Sequence, residues 1–174
     1  IMESIEKQQF VSPIQVSEHF WNVFITDAFL GNFDRHNGNW GFLYDPTAGI
    51  AEIAPVFDCG SCLLPQADEK VMEAVLADEN ELNARIFQFP TSVIKEHGKK
   101  IRYYDFLMSG EHQECQEALL RMVPKNRMDE IAGFIDEVPY LSDLQRTFYQ
   151  TYIKARWEKL LLPAYELAAE ESRH

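Results

Sequence analysis

From residue 14 to residue 30 the polar side chains Gln15, Glu18, His19, Asn22 and Thr26 fall on one narrow stripe. The remaining surface is apolar and includes Phe20, Trp21, Val23, Phe24, Ala28 and Phe29. That spacing predicts a helix, and one that is mostly buried, because apolar side chains cover most of its circumference. Ser12-Pro13 marks its entrance, a capping hydroxyl followed by a proline, and Gly31 its end. A polar loop from Asn32 to Asn39 follows. Residues 40–44 and 50–54 then read as two strands joined by Asp45-Pro46-Thr47-Ala48-Gly49, a turn by composition. With Tyr44 facing Ile50, Asn39 falls opposite Pro55, and Asp58 sits just past the open end of the ribbon. Directly opposed strand residues lie ~5 Å apart, so Asp34, Asn39 and Asp58 become neighbours.

Beyond Gly60 the pattern turns helical. Residues 68–76 and 80–87 are candidate helices, followed by a connector through Pro90 and Gly98-Lys99-Lys100, and residues 100–108 fit either a strand or a short helix. Helices are expected over 111–123 and 126–138, each closed by a proline. Ser142-Asp143 opens a long last helix whose face carries Leu144, Phe148, Tyr152, Trp157 and Leu160, with a kink at Pro163. No repeat or linker interrupts the chain. The expected fold class is α+β, mainly α: one domain over 1–174, a helical bundle with one small β-hairpin beside the polar loop.

With 174 residues, 46% of them apolar, the chain is long enough to bury a core as one domain. Its 16 Lys and Arg against 28 Asp and Glu give a formal charge of −12, which argues against broad electrostatic binding to nucleic acid or anionic lipid. Three cysteines are too few for a disulfide framework, and no apolar run reaches the ~20 residues of a membrane span. A cytoplasmic protein is the expectation. Ile1-Met2 is not a normal translational start, so further sequence is expected upstream of Ile1.

The chemistry concentrates in two segments, Gly31-Asn32-Phe33-Asp34-Arg35-His36-Asn37-Gly38-Asn39 and Ile53-Ala54-Pro55-Val56-Phe57-Asp58-Cys59-Gly60. Taken alone, the first reads equally well as an ordinary solvent turn. That reading says nothing of Asp58, a carboxylate after an apolar run, where burial is costly without a cation or hydrogen bonds. A calcium loop beginning at Asp34 fails on spacing, since its third, fifth and sixth positions are His36, Gly38 and Asn39. Hard oxygen ligands favour magnesium or manganese over zinc. Phosphoryl transfer from a metal-bound nucleotide uses this set: a carboxylate to orient the attacking hydroxyl, and an Asn and a second carboxylate on the metal. Cys59-Gly-Ser-Cys62 has the spacing of a redox thiol pair or half a zinc site, but a second pair is missing, and small residues in a turn is the better reading. His19, His97 and His112 read as surface histidines; His174 is uninformative.

Gly31-Asn32-x-Asp34-x-His36-x-x-Asn39 followed by Ala54-Pro55-Val56-Phe57-Asp58 resembles the catalytic core of the HipA-like bacterial Ser/Thr protein kinases. Asp34-Arg35-His36-Asn37-x-Asn39 is also similar to the catalytic loop of phosphoinositide kinases, whose fold is related. The resemblance is specific over roughly residues 29–63 and implies a kinase C-terminal lobe. It implies Asp34 as catalytic base, His36 beside it bracing the loop or contacting phosphate, Asn39 and Asp58 as magnesium ligands, and ATP as donor, with Arg35 among the cofactor contacts. It further implies a protein substrate and, for many members, a DNA-binding antitoxin as partner. No Gly-x-Gly-x-x-Gly element and no strand lysine precede Asp34, so the chain alone is expected to bind ATP weakly. The competing readings are a phosphoinositide-type lipid kinase and a non-catalytic kinase-like binding module.

Overall fold

The structure is a computed structural model that describes Ile5 and residues 7–173; Ile1 and His174 lie outside the described residues. Helix α1 (Pro13–Leu30) runs through the body of the molecule, burying Val16, Trp21, Phe24, Ile25, Ala28 and Phe29. Strands β1 (Phe42–Asp45) and β2 (Ile50–Ile53) follow, then α2 (Glu69–Ala77) and α3 (Glu79–Phe87). A second ribbon, β3 (Thr91–Glu96) and β4 (Lys99–Arg102), leads into α4 (Tyr103–Ser109), α5 (Gln113–Met122), α6 (Met128–Glu137), α7 (Asp143–Arg156) and α8 (Leu162–Glu171). Helix α1 packs on α5 and α7, α2 packs on α7, and α8 closes over α5. The shared core includes Tyr103, Leu119, Phe148, Tyr152, Leu160 and Leu161.

The hairpin register differs by one residue from the expected one: Asp45 pairs with Ile50 and Phe42 with Ile53. The Asp45 carboxylate accepts from the amides of Thr47 and Ala48, and its carbonyl accepts from Gly49. This side-chain turn draws Asp45 into the strand and leaves a four-residue loop. One position of slip exchanges the faces of every strand residue, and β1 starts only at Phe42.

A second hairpin stands where a connector was expected. His97 and Gly98 both take positive φ, 48° and 80°, the turn geometry that matches strand twist. The expected single ribbon is therefore two. Ser12 precedes α1 without a side-chain cap; its carbonyl accepts from Val16 instead. Ser142 does cap α7, in a reciprocal box with Gln145. The expected kink at Pro163 takes the form of a π-helical turn over Trp157–Leu161, which lets the chain enter α8 with proline in its first turn.

Candidate active site

Helix α1 ends at Gly31, φ 68°, a left-handed cap that turns the chain abruptly into the polar loop. The turn lies tight against the core: a Cβ at Gly31 would collide with the Tyr152 hydroxyl and crowd Pro90. Arg156, fully buried in α7, donates to the carbonyl of Ala28 at 2.8 Å and to that of Arg85 at 3.0 Å. It satisfies one of the carbonyls that a helix C-terminus leaves without a partner. The Tyr103 hydroxyl donates to Asn32 O at 2.6 Å, and burial pushes that phenol's pKa upward. The start of the loop is thus held from two helices distant in sequence, α4 and α7.

Within the loop the polar side chains form one buried lattice. Asp27, Asn32, Arg35 and Asn39 are all nearly inaccessible. Arg35 grips the Asp27 carboxylate through Nε and Nη2 at 2.9 and 3.1 Å. Asn32 donates to the same carboxylate at 2.8 Å and accepts from the Asp34 amide at 3.1 Å. Arg35 Nη1 donates to Asn39 O at 3.1 Å and to Phe57 O at 2.7 Å, while Nη2 approaches Cys59 Sγ at 3.7 Å. One guanidinium therefore binds the loop to both neighbours of Asp58. A buried ion pair is tolerable when hydrogen bonds satisfy both ions.

Asp34 lies half-buried, its amide and carbonyl used by the loop. His36 is exposed and braces the loop, Nδ1 accepting from the Gly38 amide at 3.0 Å. The Asn39 amide nitrogen donates to Asp34 O at 2.8 Å, which leaves its side-chain oxygen as the atom available to a cation. Asp58 is exposed, in the left-handed region at φ 55°, so the burial cost expected for it does not arise. Arg35, expected among the cofactor contacts, has its guanidinium donors taken up by Asp27, Asn39, Phe57 and Cys59.

Among the described residues no three His, Cys, Asp or Glu side chains gather as a metal cluster. A cation here would rest on one amide and one carboxylate, with phosphates and water completing its shell, as suits magnesium. Arg35, His36, Asn37 and Gly38 line an open cavity of about 490 Å³ together with Val93, Ile94 and Lys95 of β3. On the other flank, Phe33 lines a cavity of about 340 Å³ with Leu64, Ala67, Val71, Arg85 and Phe89.

Cys59 and Cys62 are free thiols on one turn, with the Cys62 amide donating to Cys59 O at 3.1 Å. Burial, and then the charge of Asp27, push the Cys62 thiol up to about 12. Two of the expected surface histidines are only half-exposed. His19 faces Arg35, and burial with that positive charge lowers its pKa. His112 pairs with Glu96 at 2.7 Å and stacks on Phe106.

Sequence reasoning passed over Asp27, Tyr103 and Arg156. Asp27 carries a legible signal, a carboxylate on the apolar side of a helix expected to be buried; the other two are joined to the loop only by the fold.

The class of molecule follows from the architecture. Among solved structures the chain matches the crystal structure of a Helicobacter pylori proinflammatory kinase CtkA, with a TM-score of 0.96 at 45% identity, covering 98% of this chain and 62% of that one. The fold is that of a kinase lobe, mainly helical α+β, in agreement with the expected class. Among curated proteins, the serine/threonine-protein kinase CtkA of Helicobacter pylori (strain J99) is 44% identical over 173 residues, 99% of this chain and 53% of that protein. The chain spans about half the length of the curated relative it matches. No protein-family model matches it. Among the described residues no helix is long and apolar enough to cross a membrane.

Proposed function

We propose that this chain is the catalytic lobe of an ATP- and magnesium-dependent protein kinase that phosphorylates Ser or Thr hydroxyls, of the HipA-like type. The observation that carries the reading is the Arg35 bridge, which joins the loop bearing Asp34 and Asn39 to the residues on both sides of Asp58, through the Phe57 carbonyl and the Cys59 sulfur. The likeness to a protein named a serine/threonine kinase supports it independently.

Asp34 would accept the substrate hydroxyl's proton as that oxygen attacks the terminal phosphate. His36 has Nδ1 committed to Gly38, so its other ring nitrogen is the one turned to a ligand, where it can donate to phosphate. Asn39 and Asp58 offer hard oxygens that fit magnesium, which would neutralise charge on the ATP phosphates. Arg35 and Asp27 position the loop without touching substrate. Val56 and Phe57 are large apolar side chains left exposed immediately before Asp58, and Leu43, Tyr44 and Ile50 are exposed on the first hairpin. Such a surface suits the nucleotide base or a covering lobe. Three free cysteines suit a reducing, cytoplasmic setting. The protein substrate is the partner this chemistry requires; a DNA-binding regulator rests on the HipA-like resemblance alone.

The test uses the natural polypeptide that contains this sequence, incubated with radiolabelled ATP and a cell lysate, or with lipid vesicles. Label on protein that vanishes on magnesium chelation and in Asp34→Asn is the expected result. Label on lipid only, or protein label indifferent to Asp34→Asn, overturns the proposal.

A further inference from the structure

The β3–β4 ribbon carries a charge pattern that folding alone does not favour. Lys95, Lys99, Lys100 and Arg102 fall within eight positions of a chain whose acids outnumber its bases. Lys95 and Lys100 are directly opposed across the ladder, a like-charge pairing that destabilises a hairpin. Glu96 stands opposite Lys99 in the ladder, but its carboxylate is engaged by His112 at 2.7 Å. Arg102 is answered by Asp105 at 2.7 Å. Among the described residues Lys95, Lys99 and Lys100 have no carboxylate within ion-pair distance, and all three are exposed.

This cationic surface adjoins the candidate active loop. Lys95 lines the same cavity of about 490 Å³ as His36, Asn37 and Gly38. His36 lies two residues past Asp34, and extended chain spans ~3.3–3.6 Å per residue. A substrate segment whose hydroxyl stands at Asp34 would therefore bring the side chain one or two positions away into this cavity. The lysines sit on flexible stems as point charges, a form suited to carboxylates of varied geometry. The net charge of −12 repels a long polyanion over the rest of the surface. A short acidic segment meets both conditions.

Resting on the protein-kinase reading, we propose that the cavity between the 36–38 loop and β3 selects substrates with Asp or Glu one or two positions from the phosphorylated hydroxyl, with Lys95, which lines it, as the first contact and Lys100, opposite Lys95 on the ribbon, as the second.

The natural polypeptide containing this chain is titrated with fluorescein-labelled peptides of equal length, in which serine is flanked by glutamates, glutamines or lysines. Anisotropy is expected to show about five-fold tighter binding of the glutamate peptide, as two partly exposed ion pairs allow, and the gap closes at high salt. Lys95→Gln/Lys100→Gln should erase the preference, and Lys95→Glu/Lys100→Glu should turn it toward the lysine peptide. Transfer of phosphate to the glutamine peptide is expected to stay unchanged in both variants. Equal binding of glutamate and glutamine peptides overturns the proposal, as does a preference that survives the double variants. Displacement of the glutamate peptide by ATP, or lost transfer to the glutamine peptide in the variants, assigns the lysines to nucleotide and also overturns it. Stronger binding of duplex DNA than of the glutamate peptide does the same. If the variants shift binding as expected but no peptide accepts phosphate, the acidic-peptide site stands and the kinase reading falls.

Discussion

Arg35 reaches across 22 positions of sequence to donate from Nη1 to the carbonyl of Phe57 at 2.7 Å. The same guanidinium is anchored on Asp27, so a charge buried under α1 sets where the chain next to Asp58 must lie. Arg35 thus ties the two polar segments together in addition to the first hairpin.

Removing that side chain should be expensive. Arg35→Ala leaves Asp27 buried without its cation, and breaking a buried pair costs about 3–5 kcal/mol. Arg35→Lys should recover little, since one ammonium cannot replace a fork that serves a carboxylate and two carbonyls. Urea denaturation checks both; a loss under ~1 kcal/mol for the alanine variant would show that the pair contributes little.

Asp34 and Asp58 should behave in the opposite way. In the natural polypeptide, Asp34→Asn is expected to lower turnover by ~10²–10⁴, the usual range for a general base, with melting unchanged. Asp58→Asn keeps a residue tolerant of positive φ at an exposed position, so magnesium-dependent nucleotide binding should fall while stability holds. Calorimetric titration with ATP and a melting curve separate the two effects. Gross unfolding of either variant would make that aspartate structural.

Gly31→Ala should unfold the start of the loop. The left-handed conformation costs ~1–2 kcal/mol for a residue with a Cβ, and the contact with the Tyr152 hydroxyl adds to it. In a Tyr152→Phe background the steric part should shrink and the conformational part persist. Equal penalties in the two backgrounds, measured by denaturation, would rule out the hydroxyl as the obstacle.

The three thiols should react in order. Burial pushes Cys62 and Cys115 up to about 12, so near neutral pH both are almost wholly protonated and poor nucleophiles. Exposed Cys59 is expected to take up iodoacetamide first, as read by mass spectrometry on the native chain. Labelling of Cys115 ahead of Cys59 would contradict the burial.

His19 should add an acid-sensitive component to stability. Its folded pKa lies below 6.5, lowered by burial and by Arg35. The unfolded chain therefore takes the proton first, and stability falls as pH drops through 6.5, levelling off below the folded value. His19→Gln should flatten denaturation free energy across that window. A curve parallel to the parent's would locate the acid sensitivity elsewhere.

Much of the fold was legible where periodicity spoke clearly. The stripe from Gln15 to Thr26 marked α1, and the Ser142 signal marked α7. The first register was missed because Asp45 bonds its own turn, a local choice that strand propensity does not encode. The second hairpin was obscured by lysines where alternating apolar residues were sought. Within the candidate site, the motif drew notice to residues 34–39 and to Asp58. The inward turn of Arg35 depends on Asp27, and the support from Tyr103 and Arg156 spans 71 and 128 positions. No window along the chain contains such partners.

The Ala28–Arg156 contact also has a temporal meaning. A polypeptide leaving the ribosome exposes residues 31–39 long before Tyr152 and Arg156 have been synthesised, so the loop gains the support of α7 late. A message cut short before α7 would yield a chain that carries every residue of the motif but lacks the contacts that hold the loop's entrance.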